Sequence, residues 1–180
     1  MSDVVLYIAA TLDGFIASAD GGIDWLKPFE QAGEDYGYSA FYTRVGAVIV
    51  GGNTYRQALG FGEWPYAGVT TWVVTRRGLA GERHPGADVR AFAGDMSDLV
   101  ALARRETARD IWLVGGAQLV TAFVNQGLID EFIIGIVPLV LGEGIPLFAG
   151  ISRRTTLRLV ETRGYASGIA QMTYRGAYTH

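Results

Sequence analysis

Two apolar runs in this chain end in paired glycines, Ala47-Val48-Ile49-Val50-Gly51-Gly52-Asn53-Thr54-Tyr55 and Ile111-Trp112-Leu113-Val114-Gly115-Gly116-Ala117-Gln118-Leu119. Each run is too uniformly apolar to be amphipathic, and the residues after its glycines recur at helical spacing, so each unit reads as strand, tight turn and helix. Paired glycines let a backbone approach a ligand with no Cβ in the way. The free N–H groups of a helix start favour negative charge, such as a pyrophosphate. Packing alone often puts glycine between a buried strand and its helix, so one such turn says little. The repetition, with Asn53 and Thr54 adding an amide and a hydroxyl at the first helical turn, points to an anion site. Neither turn is followed by the Lys-Ser/Thr pair of a P-loop, which argues against phosphoryl transfer.

Composition removes other chemistries. The chain has 180 residues, a size that fits one domain. It has no cysteine, so disulfides, thiolate metal sites and cysteine nucleophiles are absent together. Its two histidines, His84 in a polar loop and His180 at the last position, are too few and too far apart for a triad, and no metal site is expected. A net charge of −3 gives no basic face for nucleic acid. No uncharged apolar run approaches the roughly 18 residues of a membrane span, and no signal peptide precedes the first strand, so a cytoplasmic location is expected.

The elements that must position the two turns follow from the pattern. Residues 4–10 form an apolar strand expected at the centre of the sheet and buried on both faces. A long loop, residues 11–28, is too rich in turn formers to be regular and carries Trp25 in a place that suits function. A helix is expected over 35–45 with Asp35 at its start, strands at 47–50, 70–75 and 89–92, and an amphipathic helix capped by Asp95 or Ser97 and reaching about Thr107. Residues 79–87 read as a polar loop, 132–137 as a strand and 141–148 as a glycine-punctuated loop. The runs 156–162 and 169–175 alternate with period two and form a closing hairpin. Strands alternating with helices, then a hairpin, give an α/β fold: a mainly parallel central sheet with helices on both faces and a C-terminal antiparallel hairpin. In such sheets ligands bind at the carboxyl ends of the strands, where both diglycine turns, Trp25 and Arg76 fall.

The chain resembles the dihydrofolate reductase-like superfamily, in particular the stand-alone proteins related to the reductase domain of the riboflavin-biosynthesis deaminase-reductase. The resemblance rests on Ile8-Ala9-Ala10-Thr11-Leu12-Asp13-Gly14-Phe15-Ile16-Ala17, Val50-Gly51-Gly52-Asn53-Thr54-Tyr55, Val73-Val74-Thr75-Arg76-Arg77, Trp112-Leu113-Val114-Gly115-Gly116-Ala117-Gln118-Leu119, and the stretch from Val137 to Phe148, in family order. It implies a reductase that binds NADPH. Gly115, Gly116, Ala117 and Gln118, flanked by Val114 and Leu119, would meet the pyrophosphate, and the glycine pair in this family often has a cis peptide. Gly51, Gly52, Asn53 and Thr54 would lie on the other side of the phosphates. Thr75 and Arg76 would receive the adenosine 2′-phosphate, which a guanidinium can hold through two oxygens. Ala10 and Ile16 would face the nicotinamide.

On the substrate side the resemblance places Asp35 where dihydrofolate reductases carry the carboxylate that binds the ring and aids its protonation. A buried acid there, beside aromatic rings, would be a proton donor. Trp25, Tyr38 and Tyr42, with Trp64 near them, would line an aromatic mouth suited to a flat, weakly charged heterocycle of pterin or pyrimidine type. Asp13 is expected to be structural. Two alternatives stand beside this reading: a nucleotide or small-ligand binding protein without turnover, and a 5-amino-6-ribosylaminouracil phosphate reductase. For the latter the arginine-rich helix is missing, Tyr36-Gly37-Tyr38-Ser39-Ala40-Phe41-Tyr42 standing in its place. The resemblance also implies a homodimer.

Overall fold

The computed structural model describes residues 2–79, 81 and 83–177, so His180, and Ala80 and Glu82 of the expected polar loop, lie outside the described residues. The chain runs β1 (Val4–Thr11), β2 (Phe15–Ala17), a 3₁₀ helix (Asp24–Phe29), α1 (Tyr38–Arg44), β3 (Val45–Gly51), α2 (Gly52–Leu59), β4 (Thr70–Val74), β5 (Val89–Phe92), α3 (Met96–Glu106), β6 (Asp110–Gly115), α4 (Ala117–Gln126), β7 (Glu131–Val137), β8 (Ile145–Pro146), β9 (Leu157–Gly164) and β10 (Ala170–Gly176). Eight strands form one sheet in the order β5-β4-β3-β6-β1-β7-β10-β9. Every pairing from β5 to β7 is parallel, and β10 runs antiparallel to both β7 and β9.

Period-two alternation builds two cores, one on each face of this sheet. Val4, Leu6 and Ala10 of β1, Ala47 and Ile49 of β3, and Ile111 and Leu113 of β6 pack under α3 and α4 through Leu99, Val100, Val120 and Phe123. Val5, Val48, Val50 and Trp112 face the other way, onto Phe41 of α1, Tyr55 of α2 and Trp64 and Tyr66 of the following loop. The alternation breaks at Gly46, where the register of β3 against β6 shifts. A Cβ on Gly46 would overlap Thr107 Oγ1 and come within 2.9 Å of Arg109 Cβ, so the close approach of these two segments admits only glycine.

Asp95 caps α3, its carboxylate accepting from Ser97 N at 2.8 Å. Three expectations are corrected. The 11–28 loop is not wholly irregular: its last part winds into the 3₁₀ helix, which takes Pro28 inside it, and Phe15–Ala17 pairs with Ile145–Pro146 as a two-stranded sheet that turn-rich composition hid. The first helix begins at Tyr38, three residues after Asp35, because Gly37 in the left-handed region sets its start. β1 is not buried throughout: Val4–Leu6 and Ala10–Thr11 are, but Tyr7, Ile8 and Ala9 between them are half-buried and border open space.

Ion pairs gather at the amino end of the sheet. Arg44 Nη2 donates to Glu131 at 2.7 Å and its Nε to Asp110 at 2.9 Å, while Arg104 Nη2 donates to Asp130 at 2.8 Å. Those guanidiniums are spent on structure, tying α1 and α3 to the strand starts.

Candidate functional site

At the carboxyl rim the parallel register sets Val50 beside Gly115 and Gly51 beside Val74. The two diglycine bends therefore meet. A Cβ on Gly51 would lie 3.5 Å from the carbonyl oxygen of Gly115, one on Gly116 3.2 Å from Thr54 Oγ1, and one on Gly52 3.3 Å from Thr75 Oγ1. The Gly115–Gly116 peptide is cis. Of the cofactor residues expected from sequence, Gly51 thus adjoins Gly115, Thr54 adjoins Gly116 and Gly52 adjoins Thr75, around the starts of α2 and α4 and the end of β4. The first-turn amides of Ala117 and Gln118 have no partner within the helix, whereas Leu119 N donates to Gly116 O at 3.0 Å and the Leu119 side chain is core. Val114 packs on the opposite core. Asn53 is exposed and accepts from Arg56 Nη1 at 3.3 Å. Arg76 is exposed at the end of β4, and no ion pair among the described residues engages it, unlike the arginines of the amino edge.

Ala10 is buried and Ile16 half-buried in the same core, and the loops around them are pinned. Asp13 accepts from Thr11 Oγ1 at 2.6 Å, from Leu141 N at 3.1 Å and from Gly142 N at 2.8 Å. The Thr11 hydroxyl first, and then the two amides, hold its carboxyl down at about 2. Asp13 is therefore a brace between the 11–14 turn and the 139–142 loop, as its place in a Leu-Asp-Gly turn implied.

A cavity of about 210 Å³ opens next to this rim. Its floor is Ile8 and Ala9 of β1, Gly135 of β7 and Ile169, its walls are Tyr7, Tyr36 and Tyr38, and the 3₁₀ helix covers it with Leu26 and Phe29. Ile8 joins the two regions, since its Cδ1 stands 3.9 Å from the place of a Cβ on Gly115. Tyr36 is the strut: it has φ +56, its carbonyl accepts from Tyr7 Oη and Gln171 Nε2, both at 3.0 Å, and its hydroxyl donates to Phe29 O. A tyrosine in the left-handed region is held there only because several elements fix it at once. Burial pushes the Tyr7 hydroxyl up to about 12, so it stays protonated as a donor.

The substrate residues expected from sequence divide. Asp35 and Tyr38 line the cavity; Trp25 and Tyr42 are not among its lining residues. Tyr42 turns away, its hydroxyl donating to Ala67 O at 3.0 Å and its ring edge-on to Trp112, and Trp64 is buried in the core. Trp25 is half-buried on the 3₁₀ helix. Asp35 is not the buried acid of the expectation. It is exposed, and its carboxylate accepts from Gly37 N at 2.9 Å and Ser39 N at 3.0 Å, capping α1. Hydrogen bonds from Ser39, side chain and backbone, and then Gly37 hold its carboxyl below the ordinary range. That favours the ionised form, the reverse of a proton donor.

Sequence reasoning missed Tyr7, Ile8, Tyr36 and Gln171. Tyr7 and Gln171 left a trace, each a polar tip on a strand whose neighbours fit the core. Nothing in the residue type marked Tyr36, whose part depends on its backbone.

The parallel sheet with its closing hairpin and the joined bends at its rim define a dihydrofolate reductase-like α/β fold. The chain belongs to the RibD C-terminal domain family, whose profile matches residues 64–171. It is 40% identical to YwjB of Bacillus subtilis (strain 168) over 166 residues, covering 92% of this chain and 93% of that one. To the riboflavin biosynthesis protein RibD of Corynebacterium ammoniagenes it is 28% identical over 156 residues, which is 81% of this chain and 46% of that protein. The crystal structure of a Shewanella sp. PV-4 protein assigned to riboflavin biosynthesis superposes with a TM-score of 0.86 at 27% identity, covering 99% of this chain and 100% of that one. Among the described residues no helix is long and apolar enough to cross a membrane.

Proposed function

We propose that this chain is an NADPH-dependent reductase acting on a small planar heterocycle of pterin or pyrimidine type. The observation that carries the reading is the joining of the two diglycine bends at Gly51 and Gly115, with Ile8 linking them to an apolar cavity. The cradle fits a dinucleotide: the positions where Cβ atoms would intrude are glycine, and two helices, α2 and α4, start at the joined bends. The amides of Ala117 and Gln118 and the Thr54 hydroxyl hold the pyrophosphate, and Thr75 and Arg76 hold the 2′-phosphate, which selects NADPH over NADH. Bound NADPH supplies a hydride for a C=N or C=O carbon. Ala10 and Ile16 set the face of the ring pocket, braced by Asp13. The cavity over Ile8 and Ala9 orients the substrate and sheds water from it. Asp35 is unsuited to deliver the proton, and Tyr7 keeps its own, so the proton comes from water at the mouth.

The absence of a buried acid in the cavity favours, as a second reading, a binding protein of the same fold without turnover. Following NADPH oxidation against a panel of pterins, pyrimidines and quinonoid compounds separates the two. Substrate-dependent oxidation with at least one of these ring types is the expected result; binding of NADPH with no oxidation by any of them supports the second reading.

A further inference from the structure

Twelve of the described residues line the cavity, and none of these is lysine, arginine or histidine, while two, Glu30 and Asp35, carry carboxylates. Both are exposed. The nearby cations are turned elsewhere: Lys27 Nζ sits 2.6 Å from Asp24, and Arg163 Nη2 donates to Glu161 at 2.9 Å. Among the interior donors, the Tyr7 hydroxyl and one N–H of the Gln171 amide go to the Tyr36 carbonyl and the Tyr36 hydroxyl goes to Phe29 O, which leaves an anion only the Tyr38 hydroxyl and the second Gln171 N–H. An anion held in a cleft needs opposing charge or several free donors. This cleft has no cation and few free donors, and its two carboxylates make its field negative. Its volume, about 210 Å³, lies below the roughly 300–1,000 Å³ of sites for drug-sized ligands, which suits one ring or a fused pair.

We infer that this cavity selects its occupant by charge: it takes a neutral or cationic planar ring and turns away an anionic or phosphorylated one, with Glu30 the side chain that sets the preference. The inference rests on the reading of this cavity as the substrate site. It separates the chain's substrate from any ribosyl phosphate, for which the lining supplies no guanidinium.

Three planar probes of nearly equal shape test it, benzamidine (cation), benzamide (neutral) and benzoate (anion), titrated calorimetrically into the full chain at low salt. Methyl NMR shifts of Ile8 and Ile169 place each probe in the cavity. Benzamidine and benzamide bind, and benzoate binds roughly tenfold more weakly or not at all. Glu30→Gln narrows the benzamidine-to-benzoate ratio at least about threefold while leaving benzamide within about twofold, which controls for folding. Equal binding of benzoate and benzamide, an unchanged ratio in Glu30→Gln, or no shift at Ile8 and Ile169 with any probe would overturn the inference. NADPH binding, followed by tryptophan fluorescence in the same samples, keeps the two claims apart. Cofactor binding without charge preference defeats this inference alone; charge preference without cofactor binding defeats the reductase reading and leaves the selection standing.

Discussion

Thr54 and Gly116 stand so close that a Cβ on the glycine would lie 3.2 Å from the threonine hydroxyl. The Gly116 side of the space between α2 and α4 is therefore bare backbone, and a methyl group there competes with whatever the helix starts hold. Gly116→Ala is expected to weaken NADPH binding about tenfold, or roughly 1.4 kcal/mol, with the circular dichroism spectrum unchanged. Retention of full affinity would mean that the cradle does not meet the cofactor.

Gly46 tests the fold itself. Because a Cβ there would overlap Thr107 Oγ1 and press on Arg109 Cβ, Gly46→Ala should destabilise the protein by about 1–3 kcal/mol. Adding Thr107→Ala should return part of that loss in urea unfolding. If Gly46→Ala alone is neutral, the tight seam between β3 and the α3–β6 connection is looser than described.

Asp35 makes a prediction about acid. Its folded-state value is depressed, so the stability it contributes is present above the unfolded carboxylate value and is lost as pH falls through the folded one. Asp35→Ala should lower the melting temperature at neutral pH, and the difference should vanish in strong acid. Its effect on turnover, read with Asp35→Asn, should fall well short of the roughly 10²–10⁴-fold loss that removal of a general acid causes; a loss of that size would restore Asp35 as the proton donor.

Much of this architecture was legible in the chain because burial writes itself as period two. Val4, Leu6 and Ala10 alternate with Val5 onto two cores, and the glycine pairs marked where strands hand over to helices. Parallel order puts both bends at one rim, but their meeting depends on β3 and β6 being neighbours, which the pattern does not give. The short pair of Phe15–Ala17 with Ile145–Pro146 could not be anticipated either, since it joins segments far apart in sequence and rich in turn formers. Of the aromatics expected at the cavity, Tyr38 lines it and Trp25 and Tyr42 do not. Trp25 and Tyr42 carry the residue type of a ring-binding wall, but the direction of a side chain comes from tertiary packing, and Tyr7 and Tyr36 join Tyr38 in the wall. Asp35 was placed rightly beside the cavity and wrongly inside it, because helix capping and catalysis ask for the same residue at the same place.

Alkali reports on the buried phenols. Burial raises Tyr7 and Tyr66 to about 12. Each raised value means that the native state holds its proton more tightly than the unfolded chain does, so the contribution is complete below pH 10 and is lost as pH climbs toward 12. Urea unfolding should show stability declining from about pH 10 upward, and Tyr7→Phe with Tyr66→Phe should flatten that decline. Ordinary titration of every tyrosine near 10, seen by ultraviolet difference absorbance of the native protein, would contradict the burial.

The central claim, a cradle that holds a 2′-phosphorylated dinucleotide, is tested most directly by tryptophan fluorescence titrations of NADPH and NADH against the native chain and Arg76→Ala. A charge-assisted contact of roughly 1.5–3 kcal/mol corresponds to about 10–150-fold in affinity. The native chain should bind NADPH more tightly than NADH by a factor in that range, and Arg76→Ala should erase the difference by weakening NADPH alone. Equal affinities in the native chain, or no quenching by either nucleotide, would contradict it.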